Sequence, residues 1–172
     1  PLMGVALAVG ILTTGGCATN PVTGKRELYF LDEGWERSAG KKSYLPLQQL
    51  QGGTQKAFPE LNQYVSRVGY RVAETSDRPQ LPFEFVVLNN PIPNAWALPG
   101  GKIAINRGLL VELQDEAELA AVLSHEIVHA AARHGAKQTQ RNIFTQAGLV
   151  MLGIGVENHD YQDIIMVGAD IS

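Results

Sequence analysis

The chain has one cysteine, Cys17, in 172 residues, so no disulfide can form within it and the fold must be held by its core and by any metal it binds. Charged residues make up only 18% and the net charge is -3. With no basic stripe, nucleic-acid binding has no support. No apolar run approaches the roughly 20 residues that a membrane-spanning helix needs. Leu2 to Leu12 and Ile143 to Val156 are both too short. Internal repeats and low-complexity tracts are absent as well. What remains is a chain with 45% hydrophobic residues, enough to build one core, and one domain is the natural count at this length.

Histidine is also scarce, with four in the chain, yet two of them stand in His125-Glu126-Ile127-Val128-His129. Residues i and i+4 share a helix face, so both imidazoles can reach one ion. The spacing is that of an H-E-x-x-H zinc hydrolase, with His125 and His129 on the metal and Glu126 as general base for an attacking water. The surroundings predict the helix the motif needs. Asp115, followed three residues later by Glu118, reads as an N-cap with its reciprocal partner ahead of the apolar run Leu119 to Leu123. The helix is expected to run to about Gly135, with Ala136 to Arg141 as a possible extension. Ile127 and Val128 are expected to be buried around it.

Such a site needs a third protein ligand and an open position for water. Downstream of His134 only Glu157, His159, Asp160, Asp163 and Asp170 offer metal-binding side chains, and none falls at a recognised spacing. His134 misses the longer H-E-x-x-H-x-x-G-x-x-H pattern, because Ala132 and Gly135 stand where Gly and His would be needed. It reads either as a residue that supports the metal ligands from outside their set or as a helix-end histidine.

At the N-terminus, Leu2 to Leu12 are small and apolar, and Thr13-Thr14-Gly15-Gly16 leads into Cys17. Residues 1–16 read as a signal-peptide core and lipobox with a trimmed start, and Cys17 as a lipidation site. A free buried thiol is the alternative. Ala18, rather than Asp, after the cysteine favours the periplasmic face of the outer membrane. Between leader and motif, Arg26 to Leu31 reads as a strand and Glu33 to about Tyr44 as a helix with Trp35 and Ala39 on one side. Pro59 to about Ser76 reads as a second helix with Leu61, Tyr64, Val65, Val68 and Val72 on its apolar face. Phe83 to Leu88, Asn94 to Leu98 and Lys102 to Asn106 are expected strands.

Several segments together resemble one family. They are Cys17-Ala18-Thr19-Asn20-Pro21-Val22-Thr23-Gly24, Asn94-Ala95-Trp96-Ala97-Leu98-Pro99-Gly100-Gly101, Asn106 to Leu110, Asp115 to Leu123, and His125 to His134. In this order they resemble the M48 family of zinc metallopeptidases, in the bacterial lipoprotein branch related to the mitochondrial protease Oma1. The resemblance implies an α+β, zincin-like domain, mainly helical with a small sheet beside the H-E-x-x-H helix, and one Zn²⁺ per chain. It implies a third ligand from a Glu in an E-x-E-A-D-like motif on a later helix. Met151 to Ser172 carries no such motif, so that ligand is expected beyond residue 172, and residues 17–172 are expected to be the N-terminal part of the domain.

The expected function is a zinc endopeptidase of the bacterial envelope that hydrolyses unfolded or misassembled proteins, anchored to the membrane by lipid at Cys17. In related zincins the strand bordering the cleft holds substrate by main-chain pairing, and Asn94, Ala95, Trp96 and Ala97 are the candidates here. Trp96 is equally readable as a pocket wall or as core. The alternative from another class is a chaperone-like module that binds unfolded chains along the same strand without hydrolysis.

Overall fold

The computed structural model describes residues 16–151. The leader up to Gly15, the Leu152 to Val156 end of the apolar run, and Glu157, His159, Asp160, Asp163 and Asp170 lie outside the described residues, as does the Cys17 side chain.

Two short strands, β1 (Gly16–Thr19) and β2 (Arg26–Tyr29), pair antiparallel with Cys17 opposite Leu28. Helix α1 (Glu33–Leu50) follows, its first turn capped by Asp32, whose carboxylate accepts the Trp35 N–H at 2.7 Å. Its buried stripe is Glu36, Gly40 and Leu47 rather than Trp35 and Ala39, which are half-buried. The helix outruns the expected end at Tyr44 because Pro46 is accommodated within it. The missing N–H of a proline costs one backbone bond but does not always stop a helix. Helix α2 (Pro59–Ala73) begins with Pro59 at a position where its lost N–H is not needed.

Three strands form the central sheet, β3 (Glu84–Leu88), β4 (Ala95–Leu98) and β5 (Lys102–Asn106), in the order β3-β5-β4. Strand β5 runs parallel to β3 and antiparallel to β4, and every one of its residues is buried. The turn from β4 to β5 uses Gly100 and Gly101 at φ 77° and 84°, a conformation that only glycine adopts without strain. A short helix α3 (Arg107–Leu110) leads to α4 (Glu116–Ala131) and α5 (His134–Met151).

Apolar residues cover both faces of the sheet. One cluster joins Val65 and Val68 of α2, Phe85, Val87, Ile103 and Ile105 of the sheet, and Leu119, Leu123 and Ile127 of α4. The other joins Leu47 of α1 to Leu88, Trp96, Leu98 and Ala104. The architecture is α+β, with the H-E-x-x-H helix laid against the sheet on the side of β4.

Candidate metal site and cleft

Helix α4 starts as its sequence requires. Asp115 Oδ1 accepts the Glu118 N–H at 2.9 Å, and Glu118 Oε2 accepts an N–H in return, from Gln114 at 2.8 Å. Leu119, Leu123, Ile127 and Ala130 then form the buried stripe. Val128, expected inside, is 41% exposed, because it lies on the opposite face of the helix. Glu126 falls on the buried side, a carboxylate where the pattern calls for an apolar residue.

His125 and His129 project one turn apart on the neighbouring face, His125 exposed and His129 half-buried. Their Nε2 atoms converge to 2.9 Å. Glu126 lies between them in sequence and is 3% exposed. Its Oε1 is buried with no hydrogen-bond partner among the described residues. Burial pushes its carboxyl up to about 7. Burial, with His134 and His125 alongside, holds His129 below the usual imidazole value, which favours the neutral form that ligates metal.

The expected helix end moves. Helix α4 stops at Ala131, Arg133 takes φ 62°, and His134 opens α5 instead of closing α4. A left-handed residue here interrupts the helix where sequence patterning let it continue, since such positions are usually glycine or asparagine. The bend returns His134 to His129, Nδ1 to Nδ1 at 2.7 Å. His129 thus faces His125 with one ring nitrogen and His134 with the other. His134 lies behind the pair rather than beside it, and no group of three or more metal-binding side chains converges on one point among the described residues.

Beside Glu126 and His129 lies a cleft of about 360 Å³, lined also by Ala97, Leu98 and Pro99 from the β4 end and by Glu36 and Arg133. Strand β4 is an edge of the described sheet. Of the four residues expected to bind substrate, Ala97 lines this cleft. Ala95 is buried, and the Asn94 carbonyl is taken by the Asn106 N–H at 2.9 Å. The Trp96 side chain takes the core alternative, 3% exposed among Leu47, Leu88 and Leu98, with its indole N–H donated to Gln51 Oε1 at 3.1 Å. It packs there against α1 and does not line the cleft.

Sequence reasoning missed Glu36 and Arg133. Glu36 is wholly buried on α1, its Oε1 accepting from Arg133 Nε at 3.0 Å and its Oε2 from Arg78 Nη2 at 3.1 Å. The available signal was a glutamate four residues before Gly40 on a helix that must bury that face.

The donor set suits zinc. Two imidazole nitrogens converge, one ring is braced from behind, and a buried carboxylate oxygen beside them has no protein partner among the described residues.

A model of peptidase family M48 matches residues 59–169. Among individual proteins, the mitochondrial metalloendopeptidase OMA1 of Schizosaccharomyces pombe is 33% identical over 119 residues, 69% of this chain and 35% of that protein. Its Arabidopsis thaliana counterpart is 43% identical over 72 residues, 42% of this chain and 15% of that protein. The beta-barrel assembly-enhancing protease of Escherichia coli (strain K12) is 35% identical over 79 residues, 46% of this chain and 16% of that protein. The matched residues thus span 15% to 35% of these curated relatives. With the family's match covering the three-stranded sheet and the paired histidines, the chain belongs to peptidase family M48.

Proposed function

We propose that the chain carries the metal-binding half of a zinc endopeptidase site acting on unfolded or misassembled proteins of the bacterial envelope. The observation that carries this reading is the buried, unpartnered Glu126 carboxylate beside two converging histidine Nε2 atoms. A carboxylate in the interior is costly to ionise without a partner, so its placement there points to a ligand that supplies one. The names of the relatives, metalloendopeptidase and beta-barrel assembly-enhancing protease, support both the reaction and the envelope setting.

In this reading His125 and His129 hold zinc through Nε2, and a third protein ligand comes from outside residues 16–151. Bound zinc supplies a Lewis acid for the peptide carbonyl and lowers the pKa of a water. Burial raises the Glu126 carboxyl above the ordinary carboxylate value, towards the range that suits a general base. Glu126 accepts the proton of the attacking water and delivers it to the departing amine nitrogen. His134 braces the far side of the His129 ring. Strand β4, edge of the described sheet and bordering the cleft, pairs with the main chain of an extended substrate. Recognition of main chain more than side chain fits clients of many sequences. The lipid anchor at Cys17 places this activity at the periplasmic face of the outer membrane, with no nucleic-acid partner.

The test is removal and return of metal. Chelation should abolish hydrolysis of an unfolded protein by the intact protein, and one equivalent of Zn²⁺ should restore it. A chaperone-like module without hydrolysis would bind the same unfolded client and leave it uncut under both conditions.

A further inference from the structure

The Asn20-Pro21-Val22-Thr23-Gly24 segment has no part in the chemistry above, yet Asn20 is 0% exposed. Its Oδ1 accepts the N–H groups of Val22 at 2.9 Å and Thr23 at 3.1 Å, an Asx turn that shapes the link between β1 and β2. Its Nδ2 donates away from the turn, to the carbonyl oxygen of Ala132 at 3.2 Å and to Glu27 Oε2 at 3.2 Å. Ala132 caps the C-terminal end of α4, where backbone carbonyls run short of helical partners.

The next residue is gripped from the same side. Arg133 holds φ 62°, a left-handed conformation that costs a residue with a Cβ about 1 kcal/mol or more. Its Nε donates to Glu36 at 3.0 Å, its Nη2 donates to the Leu31 carbonyl at 2.6 Å, and its guanidinium lies 4.2 Å over the Tyr29 ring. Helix α5 is tied to the same hairpin by Gln140, whose side-chain amide donates to the Leu28 carbonyl at 2.7 Å and accepts the Phe30 N–H at 3.1 Å. The side-chain contacts that hold Ala132 and Arg133 in this bend are thus made with residues 20–36, about a hundred positions away. The bend is what brings His134 Nδ1 to 2.7 Å from His129 Nδ1.

We propose that the Asn20 turn is a positioning device for the histidine pair: by fixing the corner at Ala132 and Arg133 it seats His134 behind His129 and so aims the ring that presents Nε2 towards His125. This rests on the reading of His125 and His129 as metal ligands. Hydrogen-bonded partners behind a ligating histidine set its ring orientation and carry a large share of metal affinity. Asn20 is a positioning residue in this scheme and touches neither metal nor substrate.

Two substitutions separate the device from the turn. Asn20→Asp keeps the oxygen that accepts from Val22 and Thr23 but has no hydrogen for Ala132. Asn20→Ser keeps a turn-forming oxygen and is too short to reach Ala132. Arg71→Ala serves as control, since it removes an exposed pair with Glu116 remote from the corner. Two readouts are taken on the intact protein at a temperature where circular dichroism shows each variant folded. They are the nuclear Overhauser contact between the His129 and His134 rings without metal, and zinc affinity by chelator competition. The expected result is loss of the ring contact and a drop in zinc affinity of about tenfold or more in both Asn20 variants, with neither change in Arg71→Ala. A ring contact that persists in Asn20→Asp and Asn20→Ser overturns the proposal. Loss of the contact with unchanged zinc affinity overturns it too, leaving Asn20 with a purely structural role. A wild-type protein that binds no zinc refutes the metal reading instead, and the ring contact alone then decides whether Asn20 positions His134.

Discussion

Glu126 shows how much one position can carry. Its neighbours on the buried side of α4 are Leu123, Ile127 and Ala130, and a carboxylate among them has lost most of its solvent without gaining a partner. The three motif residues were legible in the sequence because their geometry is local, one helical turn fixed by i to i+4 spacing. Asn20, Glu36 and Arg133 were not, because their partners lie about a hundred residues away and no local pattern encodes such a contact. Glu27 offers a test at this scale. Its hydrogen bond with Lys137, then that from the Tyr29 hydroxyl, hold its carboxyl down at about 2 from 4.5. A depressed carboxylate stabilises the fold above the unfolded-state value and loses that contribution as pH falls through the folded one. The difference in thermal midpoint between wild type and Glu27→Gln should therefore be full above pH 5 and close as pH drops from 4.5 towards 2. A gap that stays constant across that range, measured by thermal unfolding, would remove Glu27 from the corner's stability.

Elements were legible where their own residues decide them. The cap at Asp115 and the apolar stripe of α4 follow from sequence, as do the positions of β3 and β5, and the cap should be worth about 1 kcal/mol, lost in Asp115→Ala and measurable by denaturant titration. Element ends were less legible. Helix α1 runs past its expected end at Tyr44 and through Pro46, and the break after Ala131 rests on an arginine in a glycine-like conformation, which tertiary contacts impose. Contacts between elements were hidden altogether. The β4 to β5 turn sits hard against α1, where a methyl group built on Gly40 would lie 1.9 Å from the Pro99 carbonyl oxygen. Gly40→Ala must push α1 off the turn that borders the cleft. We expect it to destabilise the fold by about 2 kcal/mol or more, at the upper end of overpacking costs. Unchanged stability in a denaturant titration would mean that α1 and the turn do not pack as described.

At the scale of the molecule, one sheet separates two apolar clusters, and the candidate site lies where α4 and α5 bend beside the open edge of that sheet. The described residues include no helix long and apolar enough to cross a membrane. Composition announced enough apolar residues for a packed interior, and the resemblance pointed to the family, but the cleft itself needed residues from four separate stretches of chain. A ligand at free concentration L that binds only the folded state raises its stability by RT ln(1 + L/Kd). Zinc should therefore raise the thermal midpoint of the wild-type protein and leave that of His125→Ala unmoved; an equal rise in both would place the metal elsewhere. The most direct measurement joins metal content to reaction, by following hydrolysis of an unfolded protein by wild type and Glu126→Gln, with zinc quantified in each preparation. Equal zinc is expected in the two, with a loss of at least about a hundredfold in rate for Glu126→Gln, the scale of a lost general base. Equal zinc with an undiminished rate would contradict that role for Glu126.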